Sequence, residues 1–170
     1  IGLLRAIRQL NEGRDWLGNA VGHPPDFTLG VAVNPNADDL DREIDRFHQK
    51  VDAGADFAMT QVFFEWGCWE RFLDRLGGTC PIPVLVAVWP LTSHRLALRL
   101  HHEVPGIVVP DPVLAILEQA GSGARAEGFA LARRMLAEAR ERAQGVYVIA
   151  PFKRPEAVIP LIDEADCRQL

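Results

Sequence analysis

Four short apolar segments alternate with amphipathic helical patterns, and this alternation constrains the fold more than any other feature of the chain. The segments are residues 27–33, 57–62, 84–88 and 146–149. They are continuous apolar runs, which are typical of parallel strands buried on both faces. The sequence therefore predicts an α/β fold in which four parallel strands carry helices on their outer face.

The helical patterns between these segments supply the outer layer. Leu40, Ile44, Phe47 and Val51 recur at the spacing of one helix face. Further helices are expected around residues 3–11, 66–76, 93–100, 129–143 and 156–164, with a loop or short helix at 110–120. A complete eight-stranded barrel needs about 250 residues, so four strand–helix units in 170 residues predict the C-terminal half of a (β/α)8 TIM barrel. A complete small doubly wound sheet is the alternative, although no GxGxxG motif follows a strand.

Composition excludes several classes of function. The net charge is −5 and the basic residues form no continuous patch, which argues against a general binder of nucleic acid or acidic membranes. No apolar run approaches the roughly 18 residues of a membrane span, and no signal peptide is recognisable. The three cysteines, Cys68, Cys80 and Cys167, form no CxxC pair and no histidine has a ligand-spaced companion, so we expect no metal site. These features favour a reduced, cytoplasmic protein.

The predicted carboxyl ends of the strands bring polar and aromatic residues to one rim. Ligands of α/β sheets and barrels bind at this end. The segments that follow the four strands begin at Asn34, Gln61, Trp89 and Pro151 and extend to Arg154 at the last corner. Gln61 offers both a donor pair and an acceptor, which suits an amide-bearing heterocycle better than a metal ion. The rim is aromatic in its middle and cationic at its end, as expected for a flat ligand with an anionic tail.

Each of these residues also has a structural interpretation. Gln61 could tie down a neighbouring loop, and Lys50 lies in the last turn of a helix, where its charge complements the helix dipole. Arg154 could be an ordinary surface cation. Lys153 at a strand end could form a Schiff base, but no partner base is evident.

Five stretches of the sequence, in order, resemble the methylenetetrahydrofolate reductases. They are LGVAVNPNA at 29–37, KVDAGADFAMTQVFFE at 50–65, PIPVLVAVWPLTS at 81–93, EVPGIVVPD at 103–111 and QGVYVIAPF at 144–152. The opening IGLLRAIRQLNEGRDWLG is most similar to the bacterial form that is the reductase half of a bifunctional homocysteine methyltransferase. The resemblance covers nearly all of the chain.

The resemblance implies a flavin-dependent barrel that passes a hydride from NADH or NADPH through FAD to 5,10-methylenetetrahydrofolate, giving 5-methyltetrahydrofolate. It implies that Gln61 binds the pterin and that Arg154 lies near the substrate or the nicotinamide. Lys50 would contact the phosphate or ribityl region of FAD, and Asn34 would lie along the flavin. The general-acid Glu of the family ends its first strand and an Asp beside the flavin ends its fourth, and we expect the chain to begin after both.

We therefore expect residues 1–170 to be a partial reductase barrel, with turnover carried out by a full-length parent. That parent is expected to be oligomeric, with a fused homocysteine methyltransferase domain as a candidate partner. The rival interpretation is an inactive half-barrel fragment, or a non-catalytic module that binds folate or flavin.

Overall fold

The computed structural model describes residues 1–151 and 154–166, and within these ranges four parallel strands form one sheet. The strands are β1 (Gly30–Val33), β2 (Phe57–Thr60), β3 (Val84–Val88) and β4 (Gly145–Val148). They are paired in the order β1-β2-β3-β4. A doubly wound sheet would reverse its strand order, so the half-barrel prediction is confirmed.

Seven α-helices accompany the strands in the described part of the chain. They are α1 (Gly2–Asn11), α2 (Leu40–Asp52), α3 (Trp66–Arg75), α4 (His94–Glu103), α5 (Asp111–Ala120), α6 (Ala124–Arg142) and α7 (Ile159–Asp166). Asp39 caps α2 by accepting from the Arg42 N–H, and Ser93 caps α4 in the same way from Leu96. Such caps satisfy backbone donors that the first helical turn leaves unpaired.

Some predicted boundaries were wrong for identifiable reasons. β1 begins at Gly30 and not at Phe27, because the Asn11 carboxamide bonds both the N–H and the carbonyl oxygen of Phe27 and takes the place of a neighbouring strand. The undecided segment 110–120 forms the full helix α5, with Pro112 in its first turn. The last helix begins at Ile159 and not near Glu156, because a 3-10 turn, Pro155–Ala157, precedes it.

One face of the sheet is packed against the helices and forms the main core. Its strand residues are Val31, Val33, Ala58, Val84, Val86 and Val88. Phe47 of α2 meets Phe72 of α3 edge to face at 5.9 Å, and Trp69 stacks on Phe72 at 5.6 Å. α6 approaches the segment after β3 so closely that a Cβ at Gly128 would overlap the Leu91 carbonyl oxygen.

The opposite face of the sheet is only half-covered. Its strand residues follow the other parity, so that Ala32, Met59 and Leu85 share one row. Glycines make room for large neighbours on this face: a Cβ at Gly30 would lie 2.5 Å from the Phe57 ring, and one at Gly145 would lie 2.7 Å from Leu85 Cδ2. In a barrel this would be the inner face, and we call it the inner face below.

Candidate functional site

A cavity of about 400 Å³ opens at the carboxyl ends of β1 and β2. Asn34 follows β1, Gln61 follows β2, and Tyr147 reaches the same space from β4. Glu43 and Lys50 of α2 complete the polar lining. The sheet register explains the convergence. Val33 is opposite Thr60, so Asn34 and Gln61 follow at one level. Met59 is opposite Leu85 and Ala87 is opposite Tyr147, so Tyr147 lies at that same level. The volume is within the usual range of small-molecule sites.

Asn34 is occupied by bonds within the protein. Its Oδ1 accepts from the Asn36 N–H at 3.0 Å, and its Nδ2 donates to the Gly106 carbonyl oxygen at 3.1 Å. The side chain thereby fixes the turn after β1 and ties the segment after α4 to the rim. Asn34 shapes the wall of the cavity, and its side-chain hydrogen-bonding atoms are already engaged.

Lys50 and Glu43 cover the edge of β1 that faces away from β2. The Lys50 Nζ donates to the Ala32 carbonyl oxygen at 2.6 Å, and Glu43 Oε1 accepts from the Asn34 N–H at 3.1 Å. The two charged groups lie 3.6 Å apart, with side chains only 16% and 17% exposed. The carboxylate therefore largely balances the ammonium, so this side of the cavity carries little net charge.

Gln61 is the cavity residue best placed to bind a ligand. Its backbone N–H donates to the Val33 carbonyl oxygen at 2.7 Å, which anchors it to β1. Its Oε1 accepts from the Val62 N–H at 3.0 Å. Among the described residues no acceptor takes the hydrogens on its Nε2, so the amide can donate to a carbonyl oxygen or ring nitrogen in the cavity.

Tyr147 is a site residue that our sequence interpretation missed. Its hydroxyl donates to the Thr60 carbonyl oxygen at 2.6 Å, and burial raises the pKa of the phenol above its ordinary 10.0. The available signal was the single tyrosine of the chain, on the last predicted strand. A buried tyrosine usually finds a partner for its hydroxyl.

Arg154 is not among the residues that line the cavity. It follows β4 and is exposed. Its neighbours Phe152 and Lys153 lie outside the described residues, as does Cys167, so the Schiff-base alternative has no structural description. Trp89, at the end of β3, is half-buried, and its buried indole N–H meets no acceptor within residues 1–151 and 154–166.

The chemistry of the cavity is that of a neutral binding site. Glu43 is the carboxylate in its lining, and this group is engaged with Lys50 and Asn34. In the part of the chain that the structure describes, no three His, Cys, Asp or Glu side chains are grouped as metal ligands. None of the described helices combines the length and apolarity that a membrane span needs.

Comparisons with known proteins give a consistent result. The family model of methylenetetrahydrofolate reductase matches residues 2–159. Methylenetetrahydrofolate reductase 1 of Schizosaccharomyces pombe is 29% identical over 91 residues, which are 51% of this chain and 15% of the yeast protein. A probable methylenetetrahydrofolate reductase (NADH) of Oryza sativa subsp. japonica is 29% identical over 86 residues, 49% of this chain and 14% of the rice protein.

A solved structure shares the fold. It is an uncharacterized protein from Clostridium thermocellum that binds two copies of 5-methyl-5,6,7,8-tetrahydrofolic acid. The TM-score is 0.63 at 18% identity, and the match covers 88% of this chain and 55% of that chain. The chain thus corresponds to about half of the solved protein and to a much smaller share of the two curated relatives.

Proposed function

The chain belongs to the methylenetetrahydrofolate reductase family, and from this premise we propose that the intact protein reduces 5,10-methylenetetrahydrofolate. In this reaction 5,10-methylenetetrahydrofolate takes a hydride from NADH or NADPH and a proton from solution. The products are 5-methyltetrahydrofolate and the oxidised nicotinamide. The observation that carries the proposal is the Gln61 amide, which lines a neutral cavity. Its Nε2 hydrogens have no acceptor among the described residues. The solved structural neighbour that binds a reduced folate supports the same ligand class.

Gln61 is proposed to recognise the pterin ring. A pterin presents a ring carbonyl and ring nitrogens along one edge, which an amide can meet with donors and an acceptor in one plane. The half-buried Met59 and Tyr147 side chains beside it offer apolar surface to a flat ring. Arg154, exposed after β4, is proposed to meet the anionic tail of the folate or the nicotinamide side.

The near-neutral lining of the cavity suits the ring portion of FAD better than its phosphates. When bound, FAD supplies a two-electron carrier between nicotinamide and folate. The Lys50 ammonium gives one of its three N–H groups to Ala32, which leaves two for a ribityl or phosphate oxygen. Glu43 offsets its charge, so we propose a ribityl contact before a phosphate contact. Asn34 is proposed to support the flavin ring through the wall that it shapes.

A comparison of two activities tests the proposal. In the intact protein, Gln61→Ala should slow folate-dependent turnover by an amount equivalent to roughly 1–3 kcal/mol, the cost of an unpaired polar group. Oxidation of NAD(P)H by an artificial electron acceptor should change less, because it needs no pterin contact. Gln49→Ala, at an exposed position of α2, is the matched control. Equal losses in both activities would count against a pterin role for Gln61.

A binding module without turnover is the second candidate function. It is favoured by one observation: the cavity's carboxylate, Glu43, already accepts from Asn34 and faces Lys50, so it cannot readily supply a proton. Binding of 5-methyltetrahydrofolate without any NAD(P)H oxidation by the intact protein would establish this alternative.

For the reductase, we further propose an oligomeric state, a fused methyltransferase domain and a cytoplasmic location.

A further inference from the structure

The main-chain ladder between β2 and β3 ends early at the rim. Pairing of β1 with β2 continues to Val33 opposite Thr60, and pairing of β3 with β4 continues to Val88 opposite Val148. Pairing of β2 with β3 stops at Met59 opposite Leu85. The interruption therefore lies at Thr60, immediately before the proposed pterin-binding residue.

Side chains replace the missing ladder bond at Thr60. In a regular parallel ladder the Ala87 N–H would donate to the Thr60 carbonyl oxygen. Here the Ala87 N–H donates instead to the Thr60 hydroxyl at 3.0 Å. Thr60 is only 1% exposed, so its released carbonyl also needs a partner away from water. The Tyr147 hydroxyl donates to it at 2.6 Å, across the intervening strand β3.

This exchange holds one peptide unit from both sides. The Thr60 carbonyl and the Gln61 N–H belong to the same planar unit. The carbonyl is bound by Tyr147 of β4, and the N–H is bound by Val33, the last residue of β1. The orientation of this unit sets the direction in which the Gln61 side chain leaves the backbone, and so sets where its amide meets a ligand.

We propose that Tyr147 is a positioning residue that acts through Gln61. Its contact depends on Thr60, because the Thr60 hydroxyl accepts from the Ala87 N–H and so leaves the Thr60 carbonyl oxygen for the Tyr147 hydroxyl. The inference rests on the proposed folate site and deepens it, because it assigns recognition of the pterin to a three-residue unit built from two strands. Tyr147 itself does not need to touch the ligand. Its hydroxyl fixes the backbone from which the amide extends.

A double-mutant cycle on the intact protein tests this inference, with 5-methyltetrahydrofolate as the probe and its equilibrium dissociation constant as the measurement. Tyr147→Phe keeps the ring and removes only the hydroxyl. We expect it to weaken binding roughly five- to thirty-fold, as the loss of one hydrogen bond would. The Gln61→Ala, Tyr147→Phe double variant should bind about as weakly as Gln61→Ala alone, because both changes remove one interaction.

The outcomes separate the inference from the function on which it rests. The positioning role would be overturned if the losses of affinity in the two single variants multiply in the double variant. It would also be overturned if Tyr147→Phe loses no affinity while Gln61→Ala binds weakly. Either result would leave the proposed folate site unchanged. No loss in Gln61→Ala would overturn the folate site itself. Thr60→Ser keeps the hydroxyl and should retain affinity, whereas Thr60→Val should lose it. Thermal unfolding of each variant confirms that it is folded.

Discussion

The Lys50 ammonium donates to the Ala32 carbonyl oxygen at 2.6 Å, on the edge of β1 that has no neighbouring strand among the described residues. Glu43 covers the next group on the same edge, the Asn34 N–H. Exposed strand edges are templates for unwanted pairing, and charged side chains commonly protect them. The pair therefore has a structural role in this chain beside the cofactor contact that we propose for Lys50.

Lys50→Met should lower the free energy of unfolding by about 1–2 kcal/mol, because it removes a charge-assisted hydrogen bond and leaves Glu43 without its ion-pair partner. It should also increase self-association through the uncovered edge. Arg46→Met removes the same charge from an exposed position of α2 and is the control. Urea unfolding and light scattering are the measurements. Equal effects of the two substitutions would show that the edge contact contributes nothing specific.

Gly128→Ala should destabilise the protein although it lies inside a helix, where alanine is ordinarily favoured over glycine by about 1 kcal/mol. Its Cβ would overlap the backbone carbonyl oxygen of the buried Leu91, which cannot move without shifting the chain after β3. Overpacking of this kind costs about 1–3 kcal/mol or more.

Gly123→Ala is the matched control for Gly128→Ala, because its Cβ would meet only the Ala120 Cβ, at 3.9 Å. Thermal unfolding should therefore show a large loss for the first variant and no loss for the second. A stabilised Gly128→Ala protein would mean that α6 does not approach Leu91 so closely.

The sequence predicted the order of the strands, from the alternation of strands and helices, and the buried face of α2, from apolar periodicity. Ile44 and Phe47 of α2 lie in the core, with Leu40 and Val51 packed against it, on the helix face that the spacing predicted. The ends of the strands were predicted less well, because side chains of distant residues decide them. Asn11 terminates the pairing of β1 from 16 positions away in sequence, and Thr60 diverts the ladder of β2 with its own hydroxyl. Neither of these side-chain bonds, which replace main-chain bonds of a ladder, follows from a local sequence pattern.

The lining of the cavity was predicted only in part, again because contacts between distant residues complete it. Asn34 and Gln61 reach the cavity because each directly follows a strand, and Lys50 reaches it from α2. The partners of these residues could not be read from the sequence. Asn34 is engaged with Gly106, 72 positions away, and Thr60 with Tyr147, 87 positions away. Such contacts depend on the register between strands, which apolar runs without alternation specify weakly.

Cys68 should remain protonated well into alkaline solution. Burial raises the pKa of its thiol from the ordinary 9.0 to about 12. The folded state thus favours the neutral thiol, while the unfolded chain ionises near pH 9. The contribution of this group to stability is complete below pH 9 and is lost as the pH rises from 9 towards 12, by up to about 1.4 kcal/mol per pH unit.

Cys68→Ala tests this alkaline dependence. The variant will be less stable at neutral pH, because it leaves a small void in the core. Its free energy of unfolding should nevertheless fall less steeply between pH 9 and 10.5 than that of the unsubstituted chain. Parallel curves for the two proteins would contradict the assignment of the buried thiol.

The half-covered inner face should make the 170-residue chain associate when it is produced alone, with little bound FAD and no reductase activity. Phe57, Met59 and Leu85 of this face are partly exposed, in contrast to the buried residues on the helix-packed face. Contiguous exposed apolar surface on a sheet favours protein association.

Phe57→Glu places a charge on the inner face, at the amino end of β2, and should shift the isolated chain towards the monomer. Leu17→Glu introduces the same charge at a leucine that is 84% exposed and lies before the sheet, so it tests for a general effect of added charge. Light scattering at matched concentrations distinguishes the two. If both variants reduce association equally, net charge and not the inner face controls it. If neither does, another surface joins the copies, and the outer edges of β1 and β4, which have no neighbouring strand among the described residues, become the next targets.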